Sequence, residues 1–225
     1  MTETEWFTCA DPQRMLEFLR GRAGDRKVRL FGCACCRRIW RLLPDEANRD
    51  LVAAVEDRPE GAFDDPELYE AICASSRREY ELLKDHAFWA AKYLGRTFYK
   101  LTPLSCVAAV CRRAALRVSA GLAGGGEGAA QAVLLRDVFG NPFRPTPAIA
   151  PEVLAWDNGT VANLARLAYE ERILPSGELD PQRLAVLADA LEEAGCADDT
   201  ILGHLRGLGS HVRGCFAVDL VLGRE

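Results

Sequence analysis

Length, composition and charge place this chain among folded globular proteins and exclude several other classes. It has 225 residues, 49% hydrophobic and 27% charged, a balance that excludes wholesale disorder and collagen-like or low-complexity sequences. The net charge of −5 and the isoelectric point near 5.4 argue against a general binder of polyanions, although local basic patches are compatible with an acidic total.

The N-terminus and the cysteines predict a cytoplasmic protein. The opening MTETEWFTC carries acids where a secretory signal needs basic residues and an apolar run, and no apolar window approaches the length of a membrane span. The 9 cysteines lack the regular spacing of a secreted disulfide framework. We therefore expect no membrane segment and mostly reduced, buried thiols.

Apolar residues recur with helical period along the chain, whereas alternating strand patterns are nearly absent, so we predict an all-α protein of about ten helices. Asp11 is the expected N-cap of the first helix, because Pro12 follows it at the first helical position. The predicted helices lie at 12–20, 25–43, 46–56, 66–94, 102–122, 127–140, 158–172, 180–195, 198–207 and 210–223.

Glycine and proline mark the boundaries between regions. AGGGEG at 123–128 breaks the helical pattern, but it lacks the lysine and the preceding strand of a phosphate-binding loop. Four prolines within NPFRPTPAIAP require an extended or turning segment. We predict an N-terminal helical body at 1–138, a proline-rich connector at 139–151 and a C-terminal helical bundle at 152–225.

The densest group of chemically reactive side chains is HLRGLGSHVRGC. Ser210 is predicted to cap a helix that places His211 and Cys215 on one face. With two more residues they form a Cys-x7-His-x6-His-x3-Cys pattern of nitrogen and sulfur atoms, the ligands that zinc favours. The close pairs of common zinc fingers are missing, so a packed helix pair stays open as the alternative. The candidate zinc ligands are Cys196, His204, His211 and Cys215.

Cysteines and arginines form two further candidate sites. CACC at 33–36 has two interpretations. It is either a metal or redox site near basic residues, or a set of small apolar residues that pack where two helices cross. Arginines one helical turn apart fit phosphate contacts, with Trp40 or Tyr99 available to stack on a base, or a solvated helix face. The candidate nucleic-acid-binding residues are Arg37, Arg38, Arg41, Arg113 and Arg117.

Catalysis has little support in the sequence. It contains no nucleophile elbow, zinc-protease helix, kinase set or dinucleotide fingerprint, and we assign no catalytic residue. Carboxylates at 170, 171, 189, 192 and 193 fit an acid/base pair only if they are buried face to face; an exposed acidic helix face is the alternative. Around the connector, residue types that anchor interfaces are candidates for protein binding: Phe139, Phe143, Arg144 and Trp156.

Several blocks occur together in the order MLEFLRGRAGDRKVRLFGCACCRRIW, LLRDVFGNPFRP, GTVANLARLAYEER, LADALEEAGC and HLRGLGSHVRGCFAVDLVLG. They resemble an expanded bacterial family of paralogous, functionally uncharacterised helical proteins. RLAVLADALEEAG is also similar to the acidic helix of a repeat-companion module of large-genome bacteria, with Ala190 where a tryptophan is expected. The resemblance implies a helical fold and a lineage of paralogues, and it supplies no reaction.

The sequence therefore predicts a protein–protein interaction module, such as an adaptor, a regulator or an immunity-type component, whose partner is another protein. Two alternatives stay open: a nucleic-acid-binding accessory protein that uses its arginine-rich helix faces, and a zinc-containing enzyme. Zinc is the cofactor that the sequence makes possible.

Overall fold

The structure is a computed structural model, and it describes residues 1–43, 45–57, 109–114 and 126–224. The predicted helix at 66–94 and most of the one at 102–122 lie outside the described residues, as does the part of AGGGEG before residue 126. No helix among the described residues is long and apolar enough to cross a membrane.

The all-α prediction is confirmed. The described residues form helices and no strand, apart from isolated bridges that pair Glu178 with Ile173 and with Val212. A 3-10 helix at Trp40–Leu42 follows the third helix, and residues 109–114 are also helical. The remaining helices are α1 Glu3–Thr8, α2 Pro12–Phe18, α3 Asp25–Arg38, α4 Glu46–Asp57, α5 Glu127–Phe139, α6 Pro151–Glu170, α7 Pro181–Glu193, α8 Asp199–Leu205 and α9 Phe216–Leu222.

The chain divides into two compact units. Unit 1 comprises Met1 and Thr8–Ala132, and unit 2 comprises Thr2–Phe7 and Val133–Glu225. Helix α5 begins in the first unit and ends in the second. Residues 140–150 contain no helix, as their prolines predict.

In unit 1, α2 begins with the N-cap and the proline that the sequence predicts. The carboxylate of Asp11 accepts hydrogen bonds from the backbone amides of Gln13 and Arg14, and Pro12 opens α2. Helix α3 buries most of its length, including the cysteines of CACC. Arg37 of this helix is itself buried, and its guanidinium donates two hydrogen bonds to Glu56 of α4, at 3.1 and 2.6 Å.

In unit 2, helices α6 to α9 share one apolar core. Its fully buried members include Val161, Leu184, Leu187 and Val218. Helix α6 is bent where three successive residues, 157–159, adopt left-handed backbone angles. The bend lies at the Asn-Gly sequence where the helix was predicted to begin, and regular helix continues from there to Glu170.

The prediction that Ser210 caps the last helix is wrong, because α9 begins at Phe216, with Cys215 at its N-cap. The backbone of residues 211–214 does not form a helical turn before α9. The carbonyl of His211 accepts from the amide of Leu179 at 2.8 Å, and Gly214 has a φ of 96°. Segment 211–214 is therefore a loop fixed by long-range hydrogen bonds.

We expect Glu56→Gln to lower the free energy of unfolding by about 3 kcal/mol, because it removes the negative charge that pairs with the buried Arg37 guanidinium. Chemical denaturation followed by circular dichroism measures the change. The matched control is Glu192→Gln, which breaks an exposed ion pair with Arg206 and should change stability little. Equal effects of the two substitutions would contradict the prediction.

Candidate metal centre

A buried carboxylate lies at the end of α5. Asp137 is only 2% exposed, and its Oδ1 accepts from two imidazoles, from His211 Nδ1 at 2.7 Å and from His204 Nε2 at 3.0 Å. Its Oδ2 accepts from the backbone amide of Val212 at 2.9 Å. The carboxylate is therefore fixed in orientation, with one oxygen aimed at both rings.

A thiol completes the group. Cys215 is fully buried, and its Sγ lies 3.3 Å from His204 Nε2 and 4.0 Å from His211 Nδ1. One ligand atom from each of the four side chains lies within 4.8 Å of the others. Asp137, His204, His211 and Cys215 are called the Asp-His-His-Cys cluster below.

The surroundings of each group set its charge in the metal-free protein. Burial raises the pKa of the Asp137 carboxyl, but the hydrogen bonds from His204 and His211 outweigh burial and hold the pKa below its usual value. Burial lowers the pKa of His211, but the hydrogen bond and charge of Asp137 outweigh it and raise the pKa. Burial and the charge of Asp137 raise the pKa of the Cys215 thiol well above its usual value.

Neighbouring residues fix the positions of the ligands. The hydroxyl of Tyr169 donates to Asp219 at 2.8 Å and accepts from the amide of Gly214 at 3.2 Å, which holds the backbone next to Cys215. The ring of Phe216 lies 4.4 Å from that of His204. A Cβ added at Gly140 would lie 3.0 Å from the Phe216 Cγ, so a larger residue there would require the ring to shift.

The ligand atoms lie near the spacing that a tetrahedral zinc ion requires. Zinc bonds of about 2.0 Å to nitrogen or oxygen and about 2.3 Å to sulfur place neighbouring ligands of such a set about 3.3 to 3.5 Å apart. Four of the six separations run from 2.7 to 4.0 Å, and all six lie within 4.8 Å. Zinc would therefore require the hydrogen-bonded pairs to move apart and the more distant pairs to move closer. The Nε2 of His211 lies 3.4 Å from the carbonyl of Gly207, and a proton held there would leave the lone pair of Nδ1 for a metal in place of the hydrogen bond to Asp137.

The same residues do not form a cysteine–histidine catalytic pair. Such a pair uses one ring nitrogen as the base and the other to hold the carboxylate. In this cluster Nε2 of His204 contacts both Cys215 and Asp137. The thiol is also fully buried and its pKa is raised, whereas a nucleophile needs access and a lowered pKa.

The structure brings together three of the four predicted zinc ligands and adds one. His204, His211 and Cys215 converge, but Cys196 lies on the loop after α7 and is not one of the four ligands of the cluster. Asp137, which sequence reasoning missed, takes the fourth position. The available signal was a carboxylate on the apolar face of a helix, three residues after the buried Leu134 and in a last turn where the helix dipole disfavours negative charge.

The predicted arginine stripes are only partly exposed. Arg37 is buried against Glu56, and its guanidinium lies 4.2 Å from the centre of the Trp40 ring. Arg38 donates to Glu127 at 2.9 Å, Arg41 is exposed, and Arg113 is half-buried. Arg117 lies outside the described residues. Nucleic-acid binding stays a prediction. The buried guanidinium of Arg37 is not available for such a contact.

The four predicted protein-binding residues have different environments. Arg144 is exposed and bonded to Glu3 at 2.8 Å, and Trp156 packs against the core of unit 2. Phe139 and Phe143 are half-buried. The predicted acidic helix face is exposed at Asp189, which accepts a hydrogen bond from Arg206.

Comparisons of the chain with protein-family models, with curated proteins and with solved structures find no match. The resemblance of the sequence blocks to a bacterial paralogous family therefore stays a prediction.

We expect Asp137→Leu to lower the stability of the metal-free protein by about 3 to 5 kcal/mol, because two imidazoles and the amide of Val212 lose their common acceptor. Denaturant unfolding with a chelator present, followed by tryptophan fluorescence, measures the loss. The control is Asp189→Asn, which alters an exposed carboxylate. A variant as stable as the control would show that the carboxylate does not hold these elements together.

Proposed function

We propose that this chain is a zinc-binding protein in which the Asp-His-His-Cys cluster holds one structural zinc ion. The observation that carries the proposal is the convergence of four chemically suitable ligand atoms within 4.8 Å of one another. Asp137 Oδ1, His204 Nε2, His211 Nδ1 and Cys215 Sγ are the four ligands.

Charge balance supports zinc in this buried position. A carboxylate and a thiolate together neutralise a divalent cation, and two neutral imidazoles add no charge, so the occupied cluster carries no net charge. Uncompensated charge would be costly because three of the ligands are almost fully buried. Zinc also stabilises the thiolate form of Cys215, which burial disfavours in the metal-free protein.

A closed ligand set favours a structural role over catalysis. Structural zinc sites have four protein ligands, whereas catalytic sites keep one position for water or substrate. Here four side chains would complete the tetrahedron, which argues against the zinc-containing enzyme. The ion would connect the end of α5, the end of α8 and the loop that leads into α9.

Metal analysis of the full chain tests the proposal. We expect about one zinc per chain after growth with zinc, and a free energy of unfolding about 2.7 kcal/mol higher when free zinc is one hundred times its dissociation constant. Elemental analysis and thermal melting with and without a chelator measure both quantities. Absence of bound zinc, together with equal melting temperatures, would overturn the proposal.

Cobalt substitution separates the observed ligand set from the one predicted from sequence. We expect Co²⁺ to give a thiolate-to-cobalt absorption band that Cys215→Ser abolishes and that Cys196→Ser keeps. Asp137→Asn should weaken zinc binding by at least about 10- to 100-fold, since even residues outside the ligand shell have effects of this size. Circular dichroism confirms that each variant is folded, and an effect of Cys196 instead of Cys215 would contradict the ligand assignment.

A second proposal is that unit 2 contributes to protein–protein interaction, the role that the sequence predicts. An open cavity of about 280 Å³ lies between α6 and α7. Leu164, Leu167 and Val186 give it an apolar lining, and Val186 is 52% exposed. Asp180, Gln182 and Arg183 supply its polar lining. Partly exposed apolar side chains in a concave surface are typical of interfaces.

Affinity purification of the tagged full chain, with nuclease treatment, tests this second role. We expect Val186→Glu to lose a protein that the wild type retains, because a charge in the apolar lining opposes burial. Glu170→Gln, an exposed change on α6, serves as the control. Retention that nuclease abolishes would instead support nucleic-acid binding, and identical recovery by both variants would overturn a role for the cavity.

A further inference from the structure

Unit 1 contains a pair of thiols that the proposed zinc centre does not use. Cys35 of α3 and Cys111 of the helical segment 109–114 have their Sγ atoms 3.7 Å apart. Both residues are almost completely buried, at 0% and 1% exposure. The two sulfurs thus face each other across the contact between two helical segments distant in sequence.

Cys35 is distinguished from the neighbouring cysteines of α3 by its contact with Cys111. Cys33 and Cys36 are also fully buried on α3, at helical positions different from that of Cys35. Cys36 is the nearest competitor, because the Cys111 thiol contributes to the raised pKa of Cys36. Only the Cys35–Cys111 pair is joined by a direct sulfur–sulfur contact among the described cysteines.

We propose that Cys35 and Cys111 are an oxidation site at which an intramolecular disulfide forms. The S–S bond is about 2.05 Å long, so the sulfurs, now 3.7 Å apart, must approach by about 1.7 Å. In the resting protein, burial and the neighbouring Cys111 raise the pKa of Cys35 well above its usual value, which leaves little reactive thiolate. Reaction requires transient separation of segment 109–114 from α3.

The oxidant is a small disulfide of the glutathione class. One protein thiolate attacks a sulfur of glutathione disulfide, which forms a mixed disulfide and releases one glutathione. The second protein thiolate then attacks the protein sulfur of the mixed disulfide, which forms the Cys35–Cys111 bond and releases the second glutathione. The protein gives up two protons and two electrons, and glutathione disulfide takes them up as two thiols.

The bond would tie segment 109–114 to α3 and close the intervening residues 36–110 into a covalent loop. Cross-linking a long loop stabilises the folded state, because it removes conformations from the unfolded chain. The oxidised protein should therefore melt at a higher temperature than the reduced protein. Under oxidising conditions in the cell, formation of this disulfide would increase the stability of unit 1.

Titration of the full chain with glutathione redox buffers tests the proposal. Samples are alkylated, digested without reduction and analysed by mass spectrometry, and we expect a linked peptide that joins Cys35 to Cys111. Cys111→Ala should abolish this peptide together with the rise in melting temperature, whereas Cys33→Ala should keep both. Alanine replaces the thiol with a small apolar group, so both variants should fold.

Two outcomes would overturn the proposal. The first is a linkage of Cys111 to Cys36 in place of Cys35. The second is full alkylation of both Cys35 and Cys111 after equilibration in oxidised glutathione with mild urea, a condition that opens the segment without global unfolding.

Discussion

A single buried carboxylate constrains most of unit 2. Asp137 is almost excluded from water, so its charge must be compensated from within the protein. Compensation comes from His204, His211 and the amide of Val212, which belong to α8 and to the loop after it. The requirement to satisfy one charge therefore draws the end of α5 and the C-terminal segments to the same point.

The buried charge of Asp137 can be compensated in two ways, by protons on the histidines or by a metal ion. Without metal, the raised pKa of His211 and the lowered pKa of Asp137 favour an ion pair with the proton on the imidazole. In the proposed zinc-bound form, the cation would take the place of the protons, and the thiolate of Cys215 would supply the second negative charge. The Cys215 thiol distinguishes the metal-free form from the zinc-bound form. Its position beside His204 contributes little to the Asp137–His211 ion pair, whereas it would supply the fourth zinc ligand.

The sequence predicts the parts of the fold that depend on neighbouring residues. The cap at Asp11, the helical class and the non-helical connector follow from local hydrogen bonding and from proline. Helix α1 was missed because the six residues at Glu3–Thr8 are too few for a clear apolar period. The false cap at Ser210 has a different cause: the amide and carbonyl groups of 211–212 bind Asp137 and Leu179, which are distant in sequence.

The same distinction explains why the candidate site was only partly predictable. His204, His211 and Cys215 lie close together in sequence, whereas Asp137 precedes His204 by 67 residues. Zinc fingers bring close ligand pairs together at little entropic cost, but closing this longer loop is more costly unless packing has already brought its ends together. Because core packing and Tyr169 hold the ligands in place before any ion arrives, zinc would bind a site that folding has largely built, and would then stabilise it.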